Sequence, residues 1–125
     1  MSTPVGPYSP AVRAGQWLVC SGQLGTQQGT DGPVLVEGGF EEQARRALAN
    51  VAALLAGRRL GWANVVKITV FLADIADYDR FNAVYLEVLG NSRPARSVVA
   101  VSALPMGALV EVEAWAYAGD AFAPA

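Results

Sequence analysis

The sequence predicts an α+β fold of two layers, with a mixed sheet covered by two helices. Three observations lead there. Two stretches carry apolar residues at spacings of three and four, as amphipathic helices do. Several shorter stretches alternate, or run apolar, as strands do. Their order along the chain is β(β)αβαββ, in which two amphipathic helices must cover one face of a sheet.

The elements follow in turn. Trp17-Leu18-Val19-Cys20-Ser21 is the first clear strand, and Val12 to Gly15 gives a short strand and turn before it. Residues 25–39 are rich in Gly, Gln, Thr and Asp with little periodicity, and read as a loop. The first helix runs from about Gly39 to Ala56, with Phe40, Ala44, Ala47, Leu48, Val51 and Leu55 on one face. Glu41 and Glu42 sit in its first turn, favourably for the helix dipole, and can pair with Arg45 and Arg46 four residues on. Gly57 stops it. Asn64 to Leu72 is a strand, with Val66, Ile68, Val70 and Leu72 expected on one face and Val65, Lys67, Thr69 and Phe71 on the other.

The second helix covers about Tyr78 to Leu89, with Phe81, Val84, Tyr85 and Val88 on one face, Asp77 as its N-cap and Gly90 at its end. Two strands close the chain. Ser97 to Ser102 is apolar on both faces. Leu109 to Tyr117 sets Val110, Val112, Ala114 and Ala116 opposite Glu111, Glu113, Trp115 and Tyr117. Leu104-Pro105-Met106-Gly107 joins them as a turn. The whole, residues 1–125, is one domain, and 118–125 reads as a frayed tail.

One sheet face mixes large apolar groups with Lys67, Thr69, Glu111 and Glu113. It is too apolar for open solvent and too polar for a dry core, and suits a wet subunit interface. Charged residues make up only 16% of the chain, against roughly 25% in an average soluble protein, which points the same way.

Composition excludes several function classes. The net charge is -2 and the pI about 5.0, against the concentrated basic face that nucleic acid or a basic membrane-surface helix needs. The chain has no histidine, the commonest general base and metal ligand, so a zinc site or a Ser-His-Asp triad is not expected. A single cysteine, Cys20, gives no disulfide framework, and its place in an apolar strand reads as a buried, inert thiol. No signal peptide, bilayer-length apolar run or glycine-rich phosphate loop is visible. A cytoplasmic protein working without metal or cofactor is the expectation.

The residues with chemical promise are few. Arg96 starts a strand whose neighbours Val98, Val99 and Val101 are apolar, and a guanidinium there needs an anionic partner or ligand. On spacing alone the commoner explanation is a structural salt bridge to Glu111 or Glu113. Those two carboxylates point the same way from one strand, roughly 7 Å apart. A solvated strand face is the ordinary reading of such a pair, but Trp115 and Tyr117 beside them suggest partial burial, and a partly buried Glu can act near neutral pH. Ser21-Gly22-Gln23 ends a buried strand, where a glycine either permits close approach of a ligand or simply terminates the strand. Gly6-Pro7-Tyr8-Ser9-Pro10 is a rigid, turn-rich segment with one phenol.

Taken in order, these segments resemble the RidA (YjgF) family. The resemblance rests on Gly6-Pro7-Tyr8-Ser9, Val19-Cys20-Ser21-Gly22-Gln23, Val66 to Leu72 and Phe81-Asn82-Ala83-Val84-Tyr85. It continues through Arg93-Pro94-Ala95-Arg96-Ser97, Leu104-Pro105 and Val110-Glu111-Val112-Glu113-Ala114, over about residues 5–118. It implies a chorismate-mutase-like fold and a homotrimer whose sheets line a central barrel, with ligand clefts between subunits. It further implies hydrolysis of reactive 2-imino acids such as 2-aminoacrylate and 2-iminobutanoate to 2-keto acids.

The family's carboxylate-clamping arginine falls on Arg96 and its water-orienting glutamate on Glu111, with Glu113 as neighbour. Substrate-binding positions fall on Tyr8, Ser21, Gly22 and Asn82. Val98 stands where the family often has Cys, a change a backbone contact would survive. Met106 stands where Lys is frequent, and the segment before Arg96 is short. The alternative is a small-carboxylate binding or sensing module using the same cleft. A chorismate mutase has only fold analogy behind it, and one clamping arginine is too few for a dicarboxylate.

Overall fold

A computed structural model describes residues 4–119. Its main sheet has five strands in the order β1-β2-β7-β5-β6. These are β1 (Ala11–Ala14), β2 (Trp17–Leu24), β5 (Val65–Leu72), β6 (Ala95–Ala100) and β7 (Val110–Tyr117). β5 and β6 run parallel, while the other neighbours are antiparallel, so the sheet is mixed as expected. A parallel pair needs a crossover, and α2 (Tyr78–Leu89) supplies it. α1 (Phe40–Ala56) lies beside it on the same sheet face. β6 and β7 are not hairpin partners: β5 stands between them, and the turn at Pro105–Gly107 carries the chain across.

The core lies between sheet and helices. Leu18, Ile68, Val70, Leu72, Val110 and Val112 from the sheet meet Leu48, Val51, Leu55 and Phe81 from the helices, all fully buried. Alanines at 44, 47, 114 and 116 keep the two layers close. Gly25, just past β2, is closer still: a Cβ there would sit 2.5 Å from the Gln43 carbonyl oxygen and 2.6 Å from its Cα. Two buried amides lock this end of α1. Asn50 Nδ2 donates to the carbonyls of Leu24 and Thr26, both at 3.0 Å, and Gln43 Oε1 accepts from the Leu109 N–H at 2.9 Å. Buried polar groups are tolerated when paired in this way.

The structure corrects the sequence reading in several places. The stretch read as a loop holds a hairpin, β3 (Thr26–Gly29) and β4 (Gly32–Leu35), with Thr26 opposite Leu35 and Gly29 opposite Gly32. Val66 does not share a face with Ile68. β5 takes two steps, Val65 to Lys67, while β7 takes one, Ala116 to Trp115, so Val66 is the extra residue of a β-bulge. Val65 is therefore buried and Val66 is exposed.

Arg45 pairs with Glu42, three residues back, and with Glu87 on α2 at 2.7 Å, while Arg80 on α2 reaches Glu41. These exposed pairs are screened by solvent and add little to stability; the two that cross from α1 to α2 chiefly align the helices. Asp77 makes no side-chain cap; its carboxylate pairs with Arg80, and Asp74 instead accepts from the Ala76 N–H. Of the tail expected to fray, Ala118 is buried and its N–H donates to the Gln16 carbonyl at 2.7 Å; residues 120–125 lie outside the described residues.

Among the described residues no layer covers the second sheet face. Trp17 meets Trp115 and Tyr117 edge to face, with ring centroids 6.1 and 5.1 Å apart, and Trp115 and Tyr117 remain about half exposed. Among the described residues no helix is long and apolar enough to cross a membrane.

Candidate functional site

Arg96 stands on β6, an edge strand of the sheet. Its register partner is the buried Ile68, so its side chain points into the helix layer. There α2 surrounds it. Arg96 Nη2 donates to Asn82 Oδ1 at 2.7 Å and to the Tyr78 hydroxyl at 3.2 Å. The guanidinium lies over the Tyr85 ring, 4.8 Å from its centroid, and 5.7 Å from that of Tyr78. Residues 78, 82 and 85 recur at spacings of four and three, which places them in one stripe of the helix.

Every one of these partners is neutral, and among the described residues Arg96 has no ion pair. Cation–π and amide contacts orient the fork without neutralising it. Its charge faces a pocket of about 360 Å³ lined by Asn82, Tyr85, Leu86, Arg93, Pro94 and Arg96. Val98, two residues along β6, lies on the same face and packs its side chain against the core.

A second cluster forms around Glu111 on β7. The β2 register slips between Cys20 and Gln23, so Ser21 and Gly22 leave the regular ladder. Ser21 then holds the N-terminal segment: its Oγ donates to the Ser9 carbonyl at 2.7 Å and its N–H to the Pro10 carbonyl at 2.8 Å. Tyr8 sits in that segment, exposed, with its hydroxyl accepting from the Val5 N–H.

Gly22 faces Glu111 directly. A Cβ at position 22 would lie 2.6 Å from Oε1 and 2.7 Å from Cδ of Glu111. The absent Cβ lets the carboxylate rest against the Gly22 backbone. Partial burial raises the Glu111 pKa, and the Glu113 charge on the same face raises it further. Gly22→Ala is expected to fold with a melting temperature within a few degrees of the wild type, since a flexible side chain can swing aside. The added methyl should displace the Glu111 carboxylate and, on the role proposed for it below, lower kcat by about tenfold or more. Thermal melts and steady-state kinetics on the purified variant check both. Cys20, at the edge of this cluster, is buried with its thiol pushed up to about 11, the inert state expected of it.

The two clusters do not meet within one chain. Arg96 shares its face with Ile68 and Ala114, whereas Glu111 shares its own with Phe71 and Val99. The salt bridge from Arg96 to Glu111 or Glu113 that spacing favours is therefore not formed: the sheet lies between them. Ser21, Gly22 and Glu111 come together on one side, Arg96 and Asn82 on the other. Tyr78 and Tyr85, the rings that lie against the Arg96 guanidinium, were not singled out in the sequence for this role. Their spacing from Asn82 is the signal that would have found them. A larger groove of about 470 Å³ between α1 and the β3–β4 hairpin includes none of these residues, and its Arg45 is already paired.

Comparison with known proteins bears on the whole chain. The family described as Endoribonuclease L-PSP matches residues 1–118. The 2-iminobutanoate/2-iminopropanoate deaminase of Bos taurus is 44% identical over 115 residues, covering 92% of this chain and 82% of its own. The crystal structure of RidA from the Antarctic bacterium Psychrobacter sp. superposes with a TM-score of 0.84 at 37% identity, covering 93% of this chain and 92% of that one. E. coli TdcF with bound serine superposes with a TM-score of 0.83 at 30% identity, covering 93% and 91%.

Proposed function

The chain belongs to the RidA (YjgF, Endoribonuclease L-PSP) family, and from that premise we propose that it hydrolyses 2-imino acids to 2-keto acids and ammonia. One observation carries the assignment of roles: an arginine oriented by neutral groups over an open pocket, and a carboxyl of raised pKa on the far face of the same sheet. The first clamps the substrate carboxylate through its fork. The second takes a proton from water as the water oxygen bonds to C2. That proton passes to the imine nitrogen, giving an amine and a hydroxyl on C2; the hydroxyl proton is then moved to the amine, the oxygen electrons form the C=O bond as the C–N bond breaks, and ammonia leaves. A carboxyl with a raised pKa suits these transfers near neutral pH. Tyr8 and the backbone at Ser21 and Gly22 border the Glu111 side. β6 is an edge strand, so backbone near Val98 has donors and acceptors without a strand partner, available to the substrate. Imines hydrolyse in water unaided, so positioning and modest proton transfer suffice, and the reading calls for no metal or cofactor.

Because the two groups lie on opposite faces of one sheet, a complete site in this reading draws on two copies of the chain. The uncovered face carrying Glu111, Trp115 and Tyr117 is the surface for such an assembly, and family resemblance makes it a homotrimer with a chorismate-mutase-like subunit fold. The endoribonuclease in the family description fits this chain less well. Its net charge is -2 and it has no histidine, while backbone phosphates call for a basic face. A carboxylate sensor would need Arg96 but would gain nothing from Glu111.

The test generates 2-iminobutanoate with a dehydratase and follows keto-acid release. Wild-type protein should accelerate it, and no acceleration would favour the sensor. Arg96→Ala and Glu111→Gln chains, each inactive alone, are then unfolded together and reassembled. If sites are shared, a site needs an intact Arg96 beside an intact Glu111 from the next copy, and about one quarter of the activity returns. If both groups served within one chain, the mixture would stay inactive.

A further inference from the structure

We propose that the Arg96 pocket takes a second anionic group, so that its preferred ligands are dicarboxylic 2-imino acids, the imines of aspartate and glutamate, and the matching keto acids. The imine part rests on the hydrolase reading above; the pairing of two anions with two cations does not. Arg93 lines the same pocket as Arg96. Its Nη1 donates to the carbonyls of Gly90 and Ser92, at 2.5 and 2.8 Å, which fixes the guanidinium at the C-terminal end of α2. Those partners are carbonyls, and among the described residues Arg93 has no ion pair. No Asp or Glu lines the pocket, so two guanidiniums share it without a counter-charge.

Tyr85 adds a third donor. Its ring is 5% exposed, and its hydroxyl is buried with no hydrogen-bond partner among the described residues. Burial raises the phenol pKa, while Arg96 and then Arg93 lower it, so both cations act on the one hydroxyl. A buried hydroxyl without a partner is costly, and a bound anion relieves it. A monocarboxylate clamped by Arg96 leaves Arg93 and Tyr85 unanswered. A second carboxylate three or four atoms away would meet Arg93 and accept from Tyr85, while Leu86 and Pro94 bound its methylene stem. The single clamping arginine, too few alone for a dicarboxylate, thus has a neighbour.

The experiment is calorimetric titration of the assembled protein with stable keto acids, 2-oxoglutarate against 2-oxobutanoate and oxaloacetate against pyruvate. The dicarboxylates should bind about tenfold tighter or more. In Arg93→Gln that preference should fall to near unity, with monocarboxylate affinity within about twofold of wild type. Arg93→Lys should retain part of it, and Tyr85→Phe should weaken the dicarboxylates selectively. If Arg93 serves only to cap α2, its variant loses affinity for both classes together and the ratio stands. That result, or equal affinities in the wild type, overturns the proposal. Keto acids undergo no hydrolysis, so the ratio is independent of catalysis. A dicarboxylate preference without imine hydrolysis would sink the hydrolase reading alone. Arg96-dependent imine hydrolysis without the preference would sink only this inference.

Discussion

Arg96→Ala will lower kcat/KM for 2-imino acids by about a hundredfold or more while leaving the fold intact. The loss is large because the substrate carboxylate, once drawn into the pocket, would have no fork to receive it, and an unpaired charge out of water is heavily penalised. The fold should tolerate the change because Arg96 makes no ion pair among the described residues, Asn82 lines an open pocket and Tyr78 is exposed. Water can reach Asn82 Oδ1 and the Tyr78 hydroxyl when the guanidinium is gone. Arg96→Lys should recover little, since an ammonium is a point charge that cannot bridge Asn82, Tyr78 and a carboxylate together. Coupled kinetics, with circular dichroism to verify the fold, decide the matter. Full activity in the alanine variant would remove Arg96 from the mechanism.

Glu111→Gln should separate function from stability. Activity falls by about 10²–10⁴-fold, the usual contribution of a positioned general base. Stability should rise at neutral pH. A carboxyl whose pKa is raised by folding holds its proton more tightly in the folded chain than in the unfolded one. Stability is then highest with the proton bound, and declines as pH rises from the ordinary value of 4.5 through the raised one. Above that window Glu111 is ionised, partly buried and beside Glu113, and its charge costs stability. Glutamine keeps the shape and removes the charge. Melting temperatures of variant and wild type should therefore differ most near pH 8 and converge toward pH 4. Wild-type activity should also fade on acidification, with a midpoint above the ordinary value of 4.5. A variant that melts lower than wild type at pH 8 would mean that the Glu111 charge is compensated in a way its neighbours do not suggest.

Side-chain periodicity made the two helices and the alternation of β7 legible, because both bury one face against a single core. Residues 26–35 were not legible, because Gln, Gly and Pro hold that hairpin through backbone bonds that leave no apolar pattern. The Val66 bulge was hidden for the opposite reason: every residue around it is apolar enough to sit on either side. The site itself divided in the same way. Arg96 and Glu111 could be singled out by type, but their placement on opposite faces depends on the registers of β6 against β5 and of β5 against β7. A stretch apolar on both sides, such as 97–102, has no parity to read, and the strand found there begins and ends two residues earlier, at Ala95–Ala100. Tyr8, Ser21, Gly22, Asn82 and Val98 were distinguished from ordinary turn, helix and strand residues only by family resemblance. In the structure Asn82 is marked by its bond to Arg96, Ser21 by its hold on the N-terminal segment, and Gly22 by the carboxylate lying where its Cβ would be.

The central strand β7 is also the last strand of the sheet in chain order. A chain emerging from the ribosome therefore carries the β1–β2 hairpin and the β5–α2–β6 unit as two separate half-sheets. Each has an open edge where β7 will later insert. Neither can close until residues 110–117 are free to enter the gap, so sheet completion is a late, long-range event. Until then the unpaired edges of β2 and β5 are the parts of the nascent chain most exposed to pairing with other chains. The carboxylate at 111 lies on the strand that ends this interval, so the proposed base takes its place only as the sheet is sealed.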